Sequence, residues 1–249
     1  MRAGLAALDA PGPLRGTWAV LRRNMQAGRR DLLASAADLA VPLLVLLTLG
    51  YAVRYLAPGL LVATALLTAS FEGTYGCASR MGPERSYAGI LATPVGLLEI
   101  LLGEVLFGAL KAFLATCAIL AVTLSMGLYD SATVLLAPVL CALCGLLFSS
   151  LAVLVAASRP RPDVFRIYFS LVVTPMLLFS GVFFPLELLP GWARAAAWFN
   201  PLTHAAAAAR AIYAGRVDLE LAGELIWLAV VTGLPLLPTL RLLRRRWIA

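Results

Sequence analysis

Six long apolar runs, parted by short polar or arginine-bearing breaks, organise this chain; they cover about 34–53, 59–78, 97–125, 132–157, 164–183 and 221–240. One helical crossing of a bilayer needs ~20 predominantly apolar residues, so the pattern predicts six transmembrane helices. The first run passes through Pro42, and only Arg54 to Pro58 parts it from the second, which predicts two antiparallel helices joined by a very short turn. The third and fourth are separated by Gly127 to Ser131, and Ser158-Arg159-Pro160-Arg161-Pro162-Asp163 breaks the chain sharply before the fifth.

Three further segments read as neither span nor plain loop. In 1–33, Leu14, Trp18, Leu21 and Met25 recur at helical spacing while Arg15, Arg22 and Arg29 recur every seven residues. That is the pattern of an amphipathic helix lying on a membrane surface; Pro11 to Pro13 confine it to the later part of the segment, and a disordered basic tail is the alternative. In the polar loop 79–96, which opens with Ser79, Arg80 and Met81, Pro83 suits the first position of a helix and Glu84 its positive end. A short helix over 83–91 is predicted, presenting Tyr87, Ile90 and Leu91 for contact and closed by Thr93-Pro94, against the alternative of an ordinary interfacial loop. The stretch 184–216 is too apolar for a solvated loop and too broken by Pro185, Pro190 and Pro201 for one span. It predicts two short helices dipping into the membrane, the second capped by Asn200 with Pro201 at its first position. Trp192 and Trp198 then sit at headgroup level.

Composition agrees and narrows the chemistry. Of 249 residues, 61% are hydrophobic and 13% charged, whereas a soluble domain has about 45–50% apolar and ~25% charged residues. One membrane domain therefore occupies 1–249. Lys111 is the sole lysine among 20 Lys and Arg residues and lies between Leu110 and Ala112, so the Gly-Lys-Ser/Thr of a phosphate-binding ATPase loop cannot be encoded here. Fifteen arginines fall in the N-terminal segment, the loops after runs two and four, and the C-terminus; only Arg54, Arg194, Arg210 and Arg216 fall on the other side. By the positive-inside rule both termini are expected in the cytoplasm, and residues 1–33 lack the apolar core and cleavage site of a secretory signal. The net charge of +7 reads as topology and attraction to anionic membrane lipids, not as a nucleic-acid face. Cys77, Cys117, Cys141 and Cys144 all lie in apolar segments, where they read as small packing residues.

Ionisable groups at membrane depth are costly and mark function by default. Glu72 lies in run two, and Glu99, Glu104 and Lys111 in run three. Glu104 and Lys111 stand two turns apart on one helical face, too far for a direct pair but able to reach a common cluster with Glu72. Such a cluster is either a salt-bridge network holding two spans or a contact for a translocating headgroup or sugar, with simple interfacial placement as the third alternative, Glu99 being near the boundary. Only runs two and three are read as carrying charges, which disfavours an ion channel. The single histidine, His204, permits no His-based metal cluster within one chain and is expected at the membrane boundary of the 184–216 hairpin. Ala205, Ala209 and Gly103 read as points of close helix contact.

The order of these pieces, together with Phe71-Glu72-Gly73-Thr74-Tyr75-Gly76, Arg80-Met81, Arg85-Ser86-Tyr87-Ala88-Gly89-Ile90-Leu91-Ala92-Thr93-Pro94 and Leu102-Gly103-Glu104, resembles the NodJ-type branch of the ABC-2 type transporter permeases, associated with lipooligosaccharide export. Phe179-Ser180-Gly181-Val182-Phe183-Phe184-Pro185 through Leu189-Pro190, with Asn200-Pro201-Leu202-Thr203, is similar to the general ABC-2 signature; His204 departs from the tyrosine that commonly follows. The resemblance implies an all-α membrane protein of the type V exporter fold, with six spans, an N-terminal interfacial helix, a cytoplasmic coupling helix and an outer re-entrant hairpin marked by Pro185, Trp192, Asn200 and Pro201. It implies a permease subunit of the bacterial inner membrane, paired with a second copy or close paralogue and driven by two copies of a separate ATPase subunit that binds ATP and magnesium; this chain itself would hold no cofactor and would not be an enzyme. Glu84, Arg85, Tyr87, Ile90 and Leu91 are the expected coupling surface. The implied cargo is an amphipathic molecule, a lipid-linked saccharide or a hydrophobic drug, moved out of the cytoplasm or inner leaflet. A membrane-embedded enzyme or assembly factor is the competing function, for which catalytic carboxylates or histidines would be expected on loops dominated instead by arginine.

Overall fold

In a computed structural model of the protein, residues 13–28, 53–81, 90, 93–127, 129 and 131–247 are described. The predicted first span, and Glu84, Arg85, Tyr87 and Leu91 of the predicted coupling helix, lie outside them. Ile90 is within them: it is helical and half-buried, and its carbonyl accepts from the Thr93 backbone N–H at 2.9 Å, which begins the turn at Thr93-Pro94.

Most of the described residues are helical, with no strand among them. Helix α1 (Pro13–Gly28) turns Leu14, Trp18 and Met25 outward, Leu14 being 85% exposed, as a stripe destined for lipid would be. Its opposite stripe of Gly16, Thr17, Val20 and Asn24 is buried on the helix Leu97–Ser125. Helix α2 (Val53–Phe71) runs through a π-helical segment (Glu72–Gly76) into Cys77–Met81. Helix α3 spans Leu97–Ser125, and α4 comprises a 3₁₀ turn (Ala132–Leu136) followed by Ala137–Ser158. Helix α5 joins Pro162–Tyr168, a second π-helical segment (Phe169–Val173) and Thr174–Leu178. After a 3₁₀ turn at Leu186–Leu188 come α6 (Gly191–Trp198), α7 (Pro201–Tyr213), α8 (Leu219–Gly233) and α9 (Leu236–Trp247).

Among the described residues, four helical stretches are long and apolar enough to cross a membrane: Tyr55–Met81, Leu97–Ser125, Ala132–Ser158 and Leu219–Arg245. Three expectations need correction. The break expected at Arg54 to Pro58 is helical, with Pro58 inside the helix, where its missing N–H forfeits the single bond to the Arg54 carbonyl. The fifth run stops at Leu178 and does not reach 183: the Ser180 hydroxyl donates to Leu177 O and accepts from Val182 N–H, and Gly181 adopts φ 75°, so local side-chain bonds and a left-handed glycine replace the helical ladder. The third correction concerns Arg80, which lies inside α2 and not in the loop after it.

Helices α3 and α4 pack along most of their length, with α2 lying across both. In lipid the close approach of small residues replaces the hydrophobic drive that water supplies. At Gly145 a Cβ would lie 2.8 Å from the Ala109 Cα, so the α3–α4 crossing requires glycine there. Two apolar clusters result. One joins α2, α3, α4, α7 and α8 around Leu61, Leu66, Phe148 and Leu202. The other, at the opposite end, gathers Val20, Met81, Ile100, Leu101, Phe165 and Leu243 around the buried charges. Ala205 and Ala209 of α7 are fully enclosed in the first. Cys77, Cys141 and Cys144 are buried and Cys117 half-buried, with no disulfide among them.

Candidate functional site

The charges expected inside the bundle form one connected chain, and residues from α1 and the end of α2 complete it. Lys111 Nζ donates to Glu72 Oε2 at 2.6 Å. Arg80 Nη2 reaches Glu72 Oε1 at 2.7 Å, while Arg80 Nε donates to Glu104 Oε1 and Oε2 at 3.0 and 3.1 Å and Nη2 makes a further close contact with Glu104 Oε2. Asn24 Nδ2 donates to Glu104 Oε1 at 3.1 Å, and the Asn24 carbonyl oxygen accepts from Arg23 Nη2 at 2.8 Å. The order is thus Arg23, Asn24, Glu104, Arg80, Glu72, Lys111, crossing from α1 to α3 to α2 and back to α3. Glu104 is 1% exposed and Glu72 and Arg80 are each 7% exposed. Within this core two carboxylates balance two cations, the condition under which charges survive out of water. Both cations also lie over the Phe107 ring, with Arg80 Cζ 5.5 Å and Lys111 Nζ 5.3 Å from its centroid.

Local backbone makes the cluster possible. At 3.6 residues per turn, positions eight apart on a helix face about 80° away from each other. The wider π-helical turn at Glu72–Gly76 takes back most of that offset, so Glu72 and Arg80 address the same side of α2. Gly76 leaves the Glu72 carboxylate its place, since a Cβ there would collide with Oε1. On α3, Gly103 lets α1 approach until a Cβ would stand 2.5 Å from Val20 Cγ1, and this close approach carries Asn24 to Glu104. Glu99 lies outside the cluster; its side chain rests against Gly16 of α1.

Sequence reasoning brought Glu72, Glu104 and Lys111 to a common cluster but missed Arg80 and Asn24. Both were legible in principle. Cys77-Ala78-Ser79-Arg80-Met81 contains no helix breaker before Gly82, and Gly16, Thr17, Val20 and Asn24 form a small-residue stripe at helical spacing opposite the apolar one. A double-mutant cycle tests the pairing directly. Glu72→Gln and Lys111→Met are expected to be non-additive in thermal stability by about 0.5–3 kcal/mol; additive losses in detergent melts would mean that the two side chains do not support each other.

A second polar knot ties the opposite end together. Asn200 caps α7 by accepting from Leu202 N–H at 3.0 Å, and its amide donates to Met176 O at 2.8 Å, anchoring the cap to α5. Pro201 occupies the first helical position, and the Pro185 carbonyl opens the 3₁₀ turn by accepting from Leu188 N–H at 3.2 Å. Trp192 and Trp198 are 72% and 57% exposed, as side chains destined for headgroups would be. His204 of the same hairpin faces the protein interior. It is buried, with Nδ1 2.5 Å from Glu224 Oε2, Nε2 2.7 Å from Trp198 O and its ring stacked 4.1 Å from Trp227. Both ring nitrogens are engaged, Nδ1 by the Glu224 carboxylate of a neighbouring helix and Nε2 by the Trp198 carbonyl of its own hairpin. Glu224 and Trp227 belong to α8, which corrects the expectation that only runs two and three carry charge. Arg210 lies over the Tyr55 ring, its Cζ 4.7 Å from the centroid, and both side chains donate to Gly181 O.

The sequence profile of the ABC-2 type transporters matches residues 15–214, from α1 to just past the end of α7. The chain belongs to this family. Permeases of the family are transmembrane transporter subunits, and they work with an ATPase subunit. Every member of the buried charge chain lies within the matched region. The chain is 36% identical over 261 residues to Nodulation protein J of Rhizobium meliloti (strain 1021), with 97% of each chain covered. It is 35% identical over 242 residues to that of Bradyrhizobium diazoefficiens, with 92% of each covered. To Nodulation protein J of Rhizobium leguminosarum bv. trifolii it is 34% identical over 250 residues, with 95% of each covered. As an ABC-2 chain it is a multi-pass protein of the inner membrane.

Proposed function

We propose that this chain is the six-span permease half of an ATP-driven exporter whose cargo is an amphipathic, lipid-linked saccharide of the lipooligosaccharide kind or a hydrophobic drug-like compound. Two copies, or one and a close paralogue, pair with two separately encoded ATPase subunits that bind ATP and magnesium on the cytoplasmic side, where both termini also lie. The observation that carries this reading is the buried link from α1 to the spans through Asn24 and Glu104. A surface helix joined to the bundle core by a charge-assisted hydrogen bond transmits a push at the membrane face into a tilt of α2 and α3. The loop containing Glu84, Arg85, Tyr87, Ile90 and Leu91 receives that push from the ATPase, and it enters the bundle beside the same buried charges through Met81 and Leu97. The cargo class rests on near-full-length likeness to the Nodulation J proteins.

The reading is tested by co-expressing the chain with the ATPase encoded beside its gene. The co-purified complex is expected to show vanadate-sensitive ATP hydrolysis that rises several-fold with lipid-linked saccharides and does not rise with plain phospholipid. A gene neighbourhood without an ATPase, or hydrolysis indifferent to every amphipath offered, would remove the exporter assignment.

A further inference from the structure

At the end of the bundle that holds the buried charges, a cleft of about 620 Å³ opens between the α4–α5 connection and α9, lined by Ala157, Ser158, Arg159, Pro160, Arg161, Leu242 and Arg245. Three arginines line it, and among the described residues none of them is paired with an acid. The nearest acid in sequence, Asp163, is engaged by Arg166 at 2.9 Å. We propose that this cleft binds the phosphate of an anionic phospholipid headgroup.

The backbone is built for it. A residue preceding proline is pushed out of the α region into extended conformation, and Arg159 and Arg161 each precede one: Arg159 has φ −151° and ψ 102°, Arg161 φ −122° and ψ 136°. Between them the Arg161 N–H donates to Arg159 O at 2.8 Å, a three-residue turn centred on Pro160, so Arg-Pro-Arg-Pro is a fixed corner that carries both arginines on the wall of the cleft. Arg245 comes from the opposing wall, its helix held in register by Leu243, which is buried. Guanidinium groups match phosphate oxygens in bidentate geometry. The prolines have already removed backbone freedom, so the ordering that remains on binding is that of the arginine side chains.

The surroundings favour a lipid over a free anion. Ala157, Pro160 and Leu242 give the cleft an apolar wall beside its cationic one, which suits the junction of glycerol and headgroup. The cleft also sits where two membrane-crossing helices end, at Ser158 and Arg245, the depth at which headgroups lie. Basic clefts at the ends of spans are attractive to anionic lipid.

The test uses the full-length protein in nanodiscs of phosphatidylcholine, alone or with phosphatidylglycerol or cardiolipin, with retained lipid read by native mass spectrometry and stability by thermal melting. Wild type is expected to retain anionic lipid selectively and to melt higher with it. Each arginine near an anionic surface contributes enough that Arg159→Gln/Arg161→Gln/Arg245→Gln should lower retention roughly 100-fold and Arg245→Gln alone about fivefold. Arg241→Gln/Arg244→Gln, on the same helix outside the cleft, is expected to retain it. If the triple variant does not fold, Arg245→Gln decides. Equal retention in wild type and Arg245→Gln, or an equal loss in the Arg241/Arg244 variant, would overturn the site. Protection by inorganic phosphate without selectivity among lipids would overturn the headgroup assignment. Loss of ATPase-subunit capture with lipid retention intact would make the cleft a protein-docking surface instead.

Discussion

Replacing Arg80 with methionine should be the most damaging single change in the charge cluster. The substitution keeps an unbranched side chain of similar length in the α2 position but leaves Glu104 with Asn24, and Glu72 with Lys111, as the remaining donors among the described residues. Two carboxylates then face one cation in an enclosed space, and removing one partner from a buried ionic group costs about 3–5 kcal/mol. For a chain of this size that corresponds to a fall in melting temperature of roughly 6–20 °C. Detergent melts of Arg80→Met, Glu104→Gln and the double variant check it. The double variant should melt above Arg80→Met, because neutralising Glu104 removes the charge that arginine had balanced. Arg80→Lys should recover only part of the loss, since an ammonium cannot hold Glu72 and Glu104 with the planar fork that arginine offers. An Arg80→Met melt that coincides with wild type would show that the cluster is not holding α2 to α3.

The second large effect is expected at Gly103, and it should separate coupling from stability. A leucine there would drive into Val20, 2.5 Å from where its Cβ must lie, and overpacking of this kind costs about 1–3 kcal/mol. The strain has an easy outlet: α1 rests on α3 through one narrow stripe, whereas α3 is locked between α2 and α4. Helix α1 should therefore lift, breaking the Asn24–Glu104 bond while the remaining ionic contacts of Glu104 and Glu72 stay intact. Hydrogen exchange over 13–28 is expected to rise sharply with little change in α3, and substrate-stimulated ATP hydrolysis of the complex should fall towards its basal rate. Val20→Ala, which removes the colliding methyl groups, should restore both. Unchanged protection of α1, or full stimulation despite its loss, would mean that the surface helix does not transmit the push.

The two variants bear on different links of the same chain, and the contrast follows from geometry. Arg80 sits where two helices are pinned by opposite charges in a dry interior, so its loss is felt as stability. Gly103 sits where a surface helix touches that interior, so its loss is felt as communication.

Much of this architecture can be read from the chain. The starts of the third and fourth runs, at 97 and 132, coincide with the observed helices, because Gly96 and Ser131 punctuate them. Asn200 and Pro201 announced a helix start that Asn200 caps by its side chain, because capping is a local transaction between a residue and the backbone two positions on. What stayed hidden was long-range or irregular. Nothing in the apolar pattern marks the π-helical turn that swings Glu72 towards Arg80, and Arg80 read as a loop residue because arginine next to a polar stretch usually faces water. His204 and Glu224 are 20 positions apart on different helices, and only the return of α8 against α7 makes one the partner of the other.

The sequence alone therefore determined that the chain is a membrane protein, where α3, α4 and α7 begin, and that Lys111 cannot belong to an ATPase loop, since these follow from hydropathy, local breakers and composition. The tertiary structure decided which charges meet. In a low-dielectric interior a carboxylate and a guanidinium far apart in the chain must find each other or be excluded, and that choice depends on helix crossing and on the small residues that permit it. Arg80 between Glu72 and Glu104, Asn24 joining a surface helix to them, and His204 held by Glu224 are the results of that choice.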